Sequence, residues 1–347
     1  MTGSRPMEPR APFALPGPYL LFLGDTTEPG YAKTAFGLRD WAGERCVGEL
    51  RCAGATVSTG LPELTPAQAR AKGANALVIG VANPGGVIPP AWIDALVQAM
   101  EAGLDVVSGM HARLRDIAPL RAAAERFGRR LHDVRIPPAG IPVASGRKRS
   151  GRRLLTVGTD CALGKKYTAL AISRAFAARG IDATFRATGQ TGILIAGGGM
   201  PMDAVVADFA AGAAELLSPD ADAAHWDVIE GQGSLFHPAY AGVSLALLHG
   251  SQPDAIVVCH EAGRERVLGY PDYALPSIEG ATDLALMLGA RTNPAIRCAG
   301  VSLNTAKLDA AAADELLASE SARLGMPVAD PVRGGAAFER LVDACLA

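Results

Sequence analysis

One run near the middle of the chain constrains the fold more than any other: Leu154-Leu155-Thr156-Val157-Gly158-Thr159-Asp160-Cys161-Ala162-Leu163-Gly164-Lys165-Lys166-Tyr167-Thr168. A short apolar stretch with β-branched residues stops at Gly158, a second glycine and a lysine follow at Gly164-Lys165, and an alanine-rich helical pattern covers Thr168 to Arg179. That order reads as strand, phosphate loop, helix. Successive backbone N–H groups surround a phosphate only where glycine lets the chain curl, and the helix N-terminus adds its dipole. Lys165 then places a point charge on a terminal phosphate. The spacing Gly158-x5-Gly164-Lys165 departs by one residue from the commonest phosphate-loop pattern, and Lys166 stands where a magnesium-binding Ser or Thr is usual, with Thr168 as the available substitute. All residues from Gly158 to Thr168 are cofactor-binding candidates; the bland alternative is a glycine turn ahead of an ordinary helix.

Such a loop needs a buried parallel sheet around it, and the chain has the material for one. Of 347 residues 49% are hydrophobic and 20% charged, which fits an α/β protein of about two domains. With 33 basic against 35 acidic side chains, nothing favours a nucleic-acid or membrane-surface role, so an anionic ligand has to be held locally. The six cysteines, Cys46, Cys52, Cys161, Cys259, Cys298 and Cys345, form no CxxC pair, which fits reduced thiols in a cytoplasm. No apolar run reaches transmembrane length and the proline-rich start lacks a signal-peptide core, so a cytoplasmic protein without a membrane partner is expected.

Taken in order, residues 1–17 read as a flexible tail and 18–140 as a first α/β domain. Its apolar runs Tyr19–Leu23, Ala76–Val81 and Asp105–Ser108 end in Asp25, Asn83 and Ser108-Gly109-Met110-His111. Those polar residues line a ligand edge or merely make turns. Residues 141–150 are the expected linker, flanked by the basic run Arg147, Lys148, Arg149, Arg152 and Arg153, which is more usually solvated than anion-binding. The second domain spans 151–347. Ile193 to Met200 is apolar but rich in glycine, which argues against a helix core there.

Within the second domain three strand ends carry chemistry. Arg186, ending a strand before Ala187-Thr188-Gly189-Gln190-Thr191-Gly192, is a counter-charge for a carboxylate, with Gln190 and Thr191 beside it; the alternative is a surface salt bridge. Glu230, followed by Gly231-Gln232-Gly233-Ser234, is a carboxylate at the ligand edge that orders a metal or water, or else caps Lys165. His260-Glu261 offers two general-base candidates, with Asp160 a third. Gln232 and Ser234 are substrate contacts; His237, before a proline, is a weaker one. Asn304 closes the last long strand, where its amide either reads a purine or caps the next helix.

The Gly158/Gly164-Lys165 loop, Glu230-Gly231-x-Gly233 and Asn304 together resemble dethiobiotin synthetase. That resemblance implies nucleotide phosphates on the loop, magnesium on the strand-end Glu and adenine on the Asn, although Lys166 stands where that family has Thr. A resemblance over nearly the whole chain is carried by Gly158-Thr159-Asp160-Cys161-Ala162-x-Gly164-Lys165-Lys166, Arg186–Gly192, Ile229–Leu235 and Gly250-Ser251-Gln252-Pro253-Asp254. These stretches are similar to the D-glutamate N-acetyltransferase family. The resemblance implies a Rossmann-like N-terminal domain and a P-loop NTPase-like C-terminal domain. It also implies acetyl transfer from acetyl-CoA to D-glutamate, beside an epimerase that converts the product to the L form. A homo-oligomer is expected.

In such a transfer the amine must lose a proton and the thioester oxygen must be stabilised. His260 is the favoured base, ahead of Glu261, Asp160 and Glu230, and the backbone of Gly231-Gln232-Gly233 with the Ser234 hydroxyl is the candidate oxyanion site. No metal is required unless ATP with magnesium replaces CoA, in which case Glu230 would hold it. Rival readings are an ATP-dependent carboxylate–amine ligase, betrayed by ADP formation, and a nucleotide-binding regulator without turnover.

Overall fold

The computed structural model describes residues 15–347; the expected tail at 1–17 therefore lies almost wholly outside the described residues. The chain forms two compact units, the first running to Pro137 and including Gln190–Ala204, the second comprising Pro138–Gly189 and Val205–Ala347.

The first unit alternates β1 (Tyr19–Gly24), α1 (Lys33–Ala42), β2 (Cys46–Arg51), α2 (Pro66–Ala71), β3 (Ala76–Ile79), α3 (Ile93–Glu101), β4 (Asp105–Ser108), α4 (Ala118–Phe127) and β5 (Leu131–Asp133). Its strands make a parallel sheet in the order β2-β1-β3-β4-β5. Central β1 and β3 are buried along their whole length, as strands covered on both faces must be, and so read as unbroken apolar runs. Short β5 and half-exposed β2 carry no such signal. Asp25 accepts from Trp92 Nε1 at 2.8 Å, Asn83 bridges the N–H and carbonyl of Val87, and Ser108 Oγ accepts from Met110 N. These polar strand ends serve turns and packing.

The second unit contains β6 (Arg152–Gly158), α5 (Lys165–Ala178) and β7 (Ala183–Arg186). The following helix, α6 (Gln190–Ala196), belongs to the first unit. This corrects the expectation of a non-helical Ile193 to Met200: Ile193, Leu194 and Ile195 are buried on a short helix against α1, and the glycines only end it. The second unit then resumes with α7 (Ala210–Leu217), β8 (Trp226–Ile229), α8 (Ala241–Ser251), β9 (Ala255–Glu261), and a hairpin of β10 (Arg266–Val267) and β11 (Tyr270–Ala274). It closes with α9 (Ile278–Gly289), β12 (Arg297–Asn304), α10 (Ala310–Leu324), β13 (Val328–Ala329) and α11 (Gly335–Leu346). Six strands pair in parallel in the order β13-β12-β9-β6-β8-β7. Their registers bring Gly158 beside Cys259, and Glu261 beside Asn304, so β6, β9 and β12 deliver their carboxyl ends to one edge, where α/β sheets hold ligands.

The basic run leading into β6 is solvated at Arg147, Lys148 and Arg152, as expected, but not at its other two members. Arg149 and Arg153 are buried and donate to backbone carbonyls of Ser218, Gly250, Ser150 and Pro219. Lys148 pairs with Asp254 and Arg147 with Asp220. Delocalised guanidinium groups tolerate this burial because several carbonyls satisfy most of their donors, Arg153 Nε being left without a partner. The run braces β6 rather than offering an anion site.

Candidate active site

At the end of β6 the loop turns through two left-handed residues, Ala162 at φ 54° and Gly164 at φ 112°. Gly164 caps α5 without a side chain, so the first N–H groups of the helix are not satisfied by a capping side chain and suit an anion. Lys165 is 7% exposed, and its Nζ donates to the Asp160 carbonyl at 2.6 Å. Burial lowers its pKa, with Cys259, Cys161 and Asp160 opposing the shift. Leu163 is buried beneath the loop, Lys166 lies over the Tyr167 ring at 4.4 Å, and Gly158 packs so that a Cβ would stand 3.0 Å from the Cys259 carbonyl. Thr168 is turned into the core, where its hydroxyl meets Ser302 Oγ at 2.7 Å. It does not stand in for the missing magnesium-binding hydroxyl.

Asp160 is fully buried and fully engaged. Oδ1 accepts from Cys161 N at 2.6 Å; Oδ2 accepts from Leu268 N at 2.8 Å and Arg264 Nη1 at 3.1 Å. Arg264 also donates to Cys161 O at 2.8 Å. Asp160 and Arg264 thereby tie the loop to the β10–β11 hairpin, a role for Arg264 that no local sequence signal announces. Burial raises the Cys161 thiol pKa, only partly opposed by Lys165, which keeps it a thiol and argues against an acetyl-cysteine step. Asp160, Cys161 and His237 bring ligand atoms within 4.8 Å of one another, yet His237 Nδ1 accepts from Ala239 N at 3.1 Å. Its Nε2 lies 4.0 Å from Asp160 Oδ1, beyond hydrogen-bond distance, and Asp160 is already committed to Arg264. His237 stacks on Tyr240, with centroids 4.5 Å apart.

Glu230 follows β8 and is buried, with Oε2 accepting from Thr188 N at 2.9 Å and Gly189 N at 3.1 Å. Burial raises its pKa against these hydrogen bonds and the pull of Lys166 and Lys165. Gln232 Nε2 donates to Thr188 Oγ1 at 3.0 Å. The Gly231 N–H is taken by Thr156 Oγ1 at 2.9 Å, so this member of the candidate oxyanion site is already occupied. Ser234 is buried, its Oγ accepts from Phe236 N, and it lines a void of about 20 Å³, room for a water and not for a substrate.

His260 reaches the loop directly: its Nδ1 lies 2.9 Å from Thr159 Oγ1. Burial lowers its pKa, and the nearby Glu320 only partly offsets this. Glu261 is committed elsewhere, paired with Arg264 and, at 2.6 Å, with Lys307. Burial alone would raise its carboxyl, but those two cations outweigh it and hold the pKa low. Asn304 Oδ1 accepts from Ala306 N at 3.0 Å, a turn contact at the end of β12.

Arg186 sits on edge strand β7 with Nε 2.6 Å from Asp227 Oδ1, and Asp227 is 1% exposed. Its guanidinium is thus tied to a buried carboxylate of the neighbouring strand. Gln190 and Thr191 lie in the first unit. There the Gln190 amide donates to Gly109 O and accepts from Arg135 Nη2 at 3.1 Å, while Thr191 Oγ1 is 3.2 Å from Thr34 Oγ1.

Comparisons place this architecture. Residues 142–342 match the P-loop domain of the DUF1611 family, a domain of unknown function, and residues 50–137 match its Rossmann-like N-terminal domain. The chain belongs to this family. A crystal structure of a DUF1611 family protein from Anabaena variabilis has 35% sequence identity and a TM-score of 0.83, covering 94% of this chain and 99% of that one. A protein of Tritonibacter scottomollicae named D-glutamate N-acetyltransferase is 53% identical over 95% of this chain and 98% of its own. Another of that name from Pseudoalteromonas is 47% identical over 92% of this chain and 96% of its own. This DUF1611 member thus has the expected pair of parallel-sheet folds, and none of its described helices is long and apolar enough to cross a membrane.

Proposed function

We propose that this chain is an N-acetyltransferase that moves acetyl from acetyl-CoA to the amine of D-glutamate. The observation that carries the reading is the shared name of two relatives matched over nearly the whole chain. The loop chemistry fits. Acetyl-CoA supplies an already activated acetyl group as a thioester and presents a diphosphate. The uncapped start of α5 and the Lys165 ammonium have the donors to hold that diphosphate. Lys166 in place of a magnesium-binding hydroxyl suits a loop that grips phosphate without hydrolysing it.

His260 is the base in this reading. Its lowered pKa leaves it neutral near pH 7, and with Nδ1 on Thr159, Nε2 is free to take the ammonium proton. Asp160 and Glu261 are spent on Arg264 and the hairpin. Glu230 holds Thr188 and Gly189 in place beside Gln232. The carboxylates of D-glutamate call for cations, and the Nη atoms of Arg186 are the candidates once Nε is given to Asp227. Purified protein incubated with acetyl-CoA and a panel of D- and L-amino acids, with free thiol release as the readout and ATP as control, tests the assignment. Thiol release with D-glutamate is expected; ADP formation instead would favour a ligase.

A further inference from the structure

Resting on the reading of acetyl-CoA as donor, the loop and the base create a problem of reach. The diphosphate and the thioester of CoA lie at opposite ends of the pantetheine arm. The base that must work beside the thioester, His260, is 2.9 Å from Thr159 of the phosphate loop. An extended arm would carry the acetyl group far from His260, so the arm has to double back, and it needs a space beside this histidine in which to fold.

That space exists within the second unit. A cleft of about 610 Å³ opens at His260 between the start of α9 and the C-terminal half of α10, within the usual size of small-molecule sites. Ala262, Leu303 and Leu316 give it an apolar wall. Its charged groups are Glu279, Glu320 and Arg323, and the single guanidinium is bonded to both carboxylates. One cation shared between two anions leaves the cleft with net negative charge, which disfavours phosphates and a dicarboxylate amino acid. The pantetheine arm is the uncharged part of CoA: its geminal methyls suit Leu303 and Leu316, and its two amides and hydroxyl suit a rim of Ser277 and the paired charges. We propose that this cleft seats the folded pantetheine arm and returns the thioester to His260.

Leu316→Trp fills the cleft and Ala262→Leu narrows it. Titration calorimetry with CoA and with 3′-phospho-ADP, which is CoA without its arm, separates the arm from the nucleotide. Both variants should bind CoA more weakly by on the order of tenfold, bind 3′-phospho-ADP as the wild type does, and keep the wild-type KM for D-glutamate. Retained 3′-phospho-ADP binding also reports an intact fold. Unchanged CoA affinity in both variants overturns the proposal, as does an equal loss for CoA and 3′-phospho-ADP in a folded variant, which would put adenosine in the cleft. A rise confined to the KM for D-glutamate overturns it too, by placing the acceptor there. Failure of the donor reading looks different: wild-type protein would bind neither CoA nor 3′-phospho-ADP.

Discussion

Lys165 Nζ donates to the carbonyl of Asp160 at 2.6 Å, spanning the loop to which both belong. The ammonium is held where a phosphate can replace the carbonyl, and the buried side chain has little freedom left to lose on binding. Lys165→Ala should therefore weaken CoA binding by about 1.5–3 kcal/mol, the worth of a charge-assisted contact, or roughly tenfold to a hundredfold in Kd. Turnover at saturating acetyl-CoA should change much less. An unchanged Kd with collapsed kcat would move Lys165 from the phosphates to the chemistry.

The pH profile follows from His260. Burial disfavours its imidazolium, so the acid limb of kcat/KM for D-glutamate should lie below the ordinary histidine value of about 6.5. His260→Gln should lower kcat and remove that limb while CoA still binds. The same shift acts on stability: as pH falls through the ordinary histidine range the unfolded chain takes up the proton first, so the wild type loses stability there and the variant loses less. A limb that survives in His260→Gln assigns the base to another group, with Glu230 the next to test.

Arg186→Gln leaves Asp227, 1% exposed, without its guanidinium. Removing one partner of a buried pair is costly; because Arg186 is 20% exposed and His225 also faces Asp227 at 3.2 Å, a loss of roughly 3 kcal/mol marks the upper end. Urea unfolding measures it, and adding Asp227→Asn should recover part of the loss. If stability is untouched and only the preference for D-glutamate over neutral D-amino acids narrows, substrate recognition is the main work of Arg186.

Two glycines should respond in opposite ways to alanine. A Cβ on Gly231 would stand 1.7 Å from the Thr156 carbonyl oxygen; that backbone cannot yield without moving β6, so Gly231→Ala should cost about 3 kcal/mol or more. Gly242, in the first turn of α8, has nothing within 4 Å of the same position and no left-handed φ, and Gly242→Ala should stabilise by roughly 0.4–1 kcal/mol through the lower entropy of the unfolded chain. Thermal melts of the two variants check both.

The apolar runs that became β1, β3 and β9 were legible because strands buried on both faces must be nearly continuously apolar, and the loop was legible because its glycines and lysine lie within eight residues of one another. Those features are local, so the sequence by itself determined the parallel α/β architecture, the phosphate loop, and the gathering of Glu230 and His260 near strand ends. What each polar group does was decided by neighbours distant in sequence. Asp160 offered itself as a base until Arg264 and the Leu268 N–H closed on it; Arg186 as a free cation until Asp227 took its Nε; Arg149 and Arg153 as a solvated run until carbonyls from Ser218 to Gly250 enclosed them. Helix α6 was missed because its helicity comes from burying Ile193, Leu194 and Ile195 against α1 rather than from propensity. A charged side chain carries one sequence symbol whether it is spent in a buried pair or waiting for a ligand, and only the tertiary structure, which fixes its partners and its access to water, separates the two.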